Sequence, residues 1–91
     1  MITICLMFLW TFPSMKKREE SDELYLKKLG KRIATIRKEK KITQVALGYA
    51  CDLEKQNMSR IEAGNTNPTV LMLKNICEKL DITLSELLDF K

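Results

Sequence analysis

Thr43–Gly64, TQVALGYACDLEKQNMSRIEAG, is the stretch around which the chain is organised. It reads as two short helices pinned by a tight turn. Leu47 and Cys51 are four apart and share one face of the first helix; Met58 and Ile61 are three apart and share one face of the second. Leu53 lies on the connection, where it plugs the junction. Gly48 is the small position, expected where a side chain would hold the helices apart. Gly costs about 1 kcal/mol against Ala inside a helix, so close packing is the reason to expect it there. Each apolar face is too small to support a helix alone, so the pair needs a third element.

Working outward, Glu54 opens the second helix of the pair. Lys55, Gln56, Asn57, Ser59 and Arg60 fall on the side away from Met58 and Ile61. A polar helix face is ordinarily just solvated. Lys, Arg, Gln and Asn, however, are the types that recognise guanine and adenine edges in the major groove. Here they stand on the second helix of a helix-turn-helix, the one able to enter that groove. Thr43 caps the first helix and puts Gln44 in its first turn, where its amide can reach a phosphate beside the free N–H groups. Asp52 falls at the turn and tolerates the left-handed backbone better than most non-glycine residues. Val45 and Ala46 are apolar where a solvent-facing turn usually carries charge.

Upstream, Leu24–Lys41 places apolar residues at 26, 29, 33 and 36, one helical stripe toward a core. Ser21 or Asp22 is expected to cap it. Gly30 weakens the expectation of an unbroken helix. Lys27, Lys28, Lys31, Arg32, Lys38, Lys40 and Lys41 are mostly off the stripe and read as a solubilising face. Arg37 adjoins the stripe, so its charge needs a partner. Downstream, Gly64 stops the recognition helix and Asn65-Thr66-Asn67-Pro68 forms a turn. Thr69 caps a fourth helix to Leu80 with Val70, Leu73, Ile76, Cys77 and Leu80 inward, leaving Leu71 and Met72 without an obvious inward place. Thr83 and Glu86 form a capping box for a short fifth helix, TLSELLDF. Leu88 and Phe90 are expected exposed at its end, suiting a subunit contact.

Ninety-one residues bound the answer to one small domain: a charged lead-in at 15–23, a domain over 24–91, and an apolar tail at 1–14. The tail, MITICLMFLWTFPS, has nine apolar residues among the eleven from Ile2 to Phe12 and no charge. It is short of the roughly 20 apolar residues a membrane span needs. It lacks the basic start and small-residue cleavage site of a secretory signal. Met15 followed by KKREESDE reads as an ordinary start, so the first fourteen residues are expected to lie upstream of the true one. The alternatives are a hydrophobic arm docked on the domain or on a partner subunit, and a membrane anchor.

The net charge of +4 is mildly basic and unevenly placed. Residues 15–41 carry eleven basic and five acidic side chains, whereas 42–91 carry five and seven. A uniformly basic coat is excluded, and any nucleic-acid contact must be local. Three isolated cysteines and no histidine fit neither a zinc site nor a disulfide framework. A reducing, cytoplasmic setting follows. Cys77 reads as a small core residue. No catalytic triad, metal-ligand set or Gly-rich phosphate loop is present, so an enzyme, a metal, a cofactor and a small-molecule ligand are not expected.

The chain resembles the Cro and lambda-repressor-like helix-turn-helix proteins, the XRE family, over roughly residues 29–88. IRKEKKITQ, SRIEAGNTNPT and LDITLSELL occur in that order at the family's spacing. The resemblance implies an all-α, five-helix DNA-binding domain whose helices two and three read DNA. By position, it implies base-edge contacts from Lys55, Gln56 and Arg60, with Asn57 and Ser59 close by. It implies phosphate contacts from Thr43, Gln44 and the loop residues Asn65, Thr66, Asn67 and Thr69. Members often pair an Arg of helix one with the Glu ending helix three, here Arg37 and Glu62. Gly48 stands where Ala is usual. Asp52 stands where Gly is usual and adds a negative charge near DNA. The implied function is a sequence-specific regulator, a repressor bound to a palindromic site as a homodimer. An antitoxin or mobile-element control protein of the same fold, or an interaction module that has lost DNA binding, are the alternatives.

Overall fold

The computed structural model describes residues 19–90. The expectations for residues 1–14, and for the beginning of the charged lead-in, lie outside the described residues. Five helices and no strand occur among those described: α1 Glu20–Glu39, α2 Gln44–Ala50, α3 Lys55–Ala63, α4 Val70–Leu80 and α5 Leu84–Leu87. No described helix is long and apolar enough to cross a membrane.

α1 begins before Leu24, and its cap is neither Ser21 nor Asp22. Glu19 occupies the N-cap without a side-chain hydrogen bond, and Glu20, Asp22 and Glu23 supply carboxylates to the first turn. These favour the positive end of the helix dipole, so a start without a hydroxyl cap is tolerated. Gly30 does not interrupt the helix. A Cβ there would fall on the carbonyl oxygens of Ile61 and Glu62, so the absence of a side chain lets α3 dock against α1. The helix stops through Lys41, whose φ of 61° is left-handed, and the Ile42 N–H returns to the Arg37 carbonyl at 3.0 Å. Ile42 thereby packs on the core.

The next turn works the same way. Thr43 Oγ1 accepts from the Ala46 N–H at 3.0 Å and starts α2. Asp52 takes the left-handed conformation with φ 56°, and the Leu53 N–H closes on the Gly48 carbonyl at 2.8 Å. A Cβ on Gly48 would lie 3.4 Å from the Met58 Cβ, an ordinary contact. The site therefore excludes large side chains but not a methyl, a softer demand than a strict glycine. Gly64 is stricter: its φ is +77° and a Cβ would lie 2.5 Å from the Lys27 Cα.

Ile33, Leu47, Met58, Ile76, Leu80 and Leu87 are fully buried and draw one residue or more from every helix. Leu26, Leu29, Ile36, Cys51, Ile61, Leu73 and Cys77 complete the core, with Leu53 and Met72 packed against it. Met72 thus has an inward place after all. Val70 does not: although helical spacing puts it on the stripe of Leu73 and Cys77, it is 67 % exposed at the first position of α4. Phe90 is not free either. Its ring lies 5.1 Å from that of Tyr25 on α1, folding the segment after α5 back over the domain, while Leu88 stays exposed. Arg32 departs from the solvated face of α1. Its Nη2 donates to the Glu86 carbonyl at 2.9 Å and so holds the end of α5. The Thr83–Glu86 capping box forms as expected.

Candidate nucleic-acid interface

α3 stands between two supports. Met58 and Ile61 anchor its inner side, and its C-terminal turn rests on Gly30. The opposite side faces solvent, with Lys55, Gln56, Asn57, Ser59 and Arg60 all exposed. Lys55, Gln56, Ser59 and Arg60 line one shallow depression together with Gln44 of α2. Asn57 is outside that group, since helical spacing turns it toward the flank on the Ile61 side. Asp52 and Glu54 line a separate depression at the turn with Tyr49 and Leu53. The Asp52 carboxylate therefore lines a depression separate from the one formed by Gln44, Lys55, Gln56, Ser59 and Arg60, which carries two cations, Lys55 and Arg60.

Behind this face, Arg37 and Glu62 meet in an ion pair with side chains only 10 % and 7 % exposed. Arg37 Nε donates to Glu62 Oε2 at 2.8 Å and Nη2 to Oε1 at 3.1 Å, a two-point contact. Arg37 Nη1 donates to the Ile42 carbonyl at 2.8 Å. Gln44 Nε2 also donates to Glu62 Oε1, at 3.1 Å. Gln44 is thus half-buried and already tied to α3, neither simply exposed nor wholly free for a phosphate. Nothing in its sequence neighbourhood indicates that tie, because the partner is eighteen residues away.

The other residues named for the phosphate backbone separate. Thr43 and Thr69 both use the hydroxyl oxygen to cap a helix, α2 and α4 respectively. Asn65 is exposed and Thr66 half-buried; the Asn65 N–H closes α3 onto the Arg60 carbonyl at 2.9 Å. Asn67 lines a different groove, with Tyr25, Pro68, Val70 and Leu88. Cys51 and Cys77 are free thiols inside the core. Burial pushes both thiols up, opposed at Cys51 by Lys79 and reinforced at Cys77 by Glu86. Among the described residues, no group of three His, Cys, Asp or Glu gathers to hold a metal.

A helix-turn-helix family model matches residues 33–87. No curated protein matches the chain. Among solved structures, the master regulator for biofilm formation SinR, solved in complex with DNA, is 34 % identical with a TM-score of 0.62. The alignment covers 67 % of this chain and 98 % of SinR. The restriction-modification controller protein C.AhdI from Aeromonas hydrophila is 27 % identical with a TM-score of 0.66, covering 68 % and 94 %. The clp gene regulator ClgR from Corynebacterium glutamicum shares the fold at 22 % identity and a TM-score of 0.69, covering 70 % and 68 %. With α2 and α3 forming the turn-linked pair inside the matched span, the chain belongs to the Cro/C1-type XRE helix-turn-helix family.

Proposed function

We propose that the protein is a sequence-specific DNA-binding transcriptional regulator that lays α3 in the major groove. The observation that carries this is the exposed set Lys55, Gln56, Ser59 and Arg60 on a helix whose other side is locked in the core. Arg and Lys suit guanine edges and Gln suits adenine. Gln44 stands at the margin of the set, in position for a phosphate. SinR, with 34 % identity, is solved in complex with DNA, which supports the same partner for this chain. The protein acts as a repressor, without a catalytic step, by occupying promoter DNA in the cytoplasm. It does so as a homodimer on a palindromic site, its two α3 helices about 34 Å apart.

Selection of bound duplexes from random sequence by the purified protein, followed by affinity measurements across salt concentrations, tests this. An enriched two-fold symmetric site is expected, with affinity falling as salt rises by about 0.9 log units per log unit of salt for each neutralised phosphate. A selection that enriches nothing overturns the regulator and favours a protein-interaction module. An enriched but asymmetric site keeps DNA binding and removes the homodimer.

A further inference from the structure

We infer that Glu62 is a positioning residue for the DNA-backbone contact of Gln44, a role that rests on the DNA-binding reading above. Glu62 touches no reader directly. Its Oε1 accepts from both Arg37 Nη2 and Gln44 Nε2, each at 3.1 Å, while Oε2 accepts from Arg37 Nε at 2.8 Å. Arg37 is itself held by the Ile42 carbonyl at 2.8 Å, in the residue before the α2 cap. Four groups from α1, the α1–α2 turn, α2 and α3 therefore share one sheltered network.

The chemistry of the carboxylate makes the arrangement directional. An ionised carboxylate only accepts, so the Gln44 amide must turn its NH2 toward Glu62. An amide left to itself presents its oxygen as easily as its nitrogen, and an oxygen facing a phosphate finds no hydrogen bond. With one N–H spent on Glu62, the amide plane is fixed and its second N–H remains to donate. Gln44 is placed on the depression that Lys55, Gln56, Ser59 and Arg60 line. Arg37 cancels the charge of Glu62, so the carboxylate orients Gln44 without repelling the duplex. A phosphate on the Gln44 amide would in this way be registered against the last turn of α3, which carries Arg60.

The test is a double-mutant cycle in the full chain with Gln44→Ala, Glu62→Gln and both. Affinity is measured for the selected duplex and an unrelated one across salt, with thermal melts alongside. Gln44→Ala is expected to weaken both duplexes about tenfold, the loss of one hydrogen bond to a charged group. The salt slope should stay unchanged, since a neutral donor displaces no counterion. Glu62→Gln should weaken binding severalfold in the parent yet add little in the Gln44→Ala background. Independent losses of affinity that multiply in the double variant overturn the role and leave Glu62 a strut. If Glu62→Gln fails to fold, side-chain 15N relaxation of the free parent protein decides. The Gln44 NH2 should be rigid where the exposed Gln56 NH2 is mobile, and equal mobility overturns the role. A parent protein that binds no duplex in selection sinks the DNA-binding reading instead, a result separate from either of these.

Discussion

α2 and α3 are the two halves of one motif, yet their outer faces differ in kind. α3 turns Lys55, Gln56, Ser59 and Arg60 to solvent; α2, QVALGYA, has no charged residue and exposes Val45 and, at 87 %, Tyr49. Both halves bury comparable anchors, Leu47 and Cys51 on one and Met58 and Ile61 on the other. The core therefore does not dictate what the outer faces carry. Burial fixes where each outer face points, and only the residue types on it decide what it meets. Polar donors and cations on α3 suit a nucleic acid; on α2 only Gln44, at its first turn, joins them, and Val45 and Ala46 beside it offer no polar group. Substitutions that leave one half intact while altering the other can break or sharpen the contrast.

The largest effect is expected beneath both faces. Met58→Ala empties a fully buried site where α2 and α3 meet and should cost about 3 kcal/mol of stability in a denaturant melt. DNA affinity should fall with the folded fraction. Gly30→Ala pushes a methyl into the Ile61 and Glu62 carbonyls and should cost about 2 kcal/mol by shifting α3 off α1. Arg60→Ala touches only the outer face. It should leave the melting temperature in place and lose about 1–3 kcal/mol of affinity for the selected duplex, relaxing preference at one base position. Equal loss on every sequence would make Arg60 a phosphate contact. Thr43→Ala removes the α2 cap and should lower stability by about 1 kcal/mol. Tyr49→Glu on the exposed face of α2 should move stability by less than about 0.5 kcal/mol. A marked loss there would show that this face is covered in the working protein.

What the sequence reveals of this molecule follows from how local each cause is. The inward positions of α3 and most of those on α4 are legible from helical spacing, because a helix repeats its faces whatever lies beside it. Thr43, Thr69 and Thr83 are legible as caps for the same reason: each bonds a backbone N–H three residues on. Gly30, Arg32 and Gln44 are not legible. The causes of their placement are the carbonyls of Ile61 and Glu62, the carbonyl of Glu86 and the carboxylate of Glu62, all supplied by distant helices. The Val70 expectation fails at the first position of α4, where helical spacing gives the face but not whether another element reaches it. Lys41 and Asp81 enter the left-handed region without a glycine, yet both stops are legible, near Lys40 or Lys41 and at Leu80, because the apolar stripes run out there. The outer face of α3 is the opposite case, since exposure requires no partner to specify it.

The grip of Arg32 on the Glu86 carbonyl spans fifty-four residues and joins the first helix to the last. Tyr25, two turns earlier on α1, meets Phe90 with ring centroids 5.1 Å apart and joins the same two ends of the domain. During synthesis α1 leaves the ribosome first, so it must wait for residues 83–90 before its flank is sealed. A nascent chain stalled with Asp81 as its last exposed residue would hold both helices of the turn-linked pair yet lack Leu87, which is completely enclosed in the finished domain. Cooperative folding on the ribosome should therefore appear late and abruptly, and an arrest-peptide series stepping through the final helix would locate the moment.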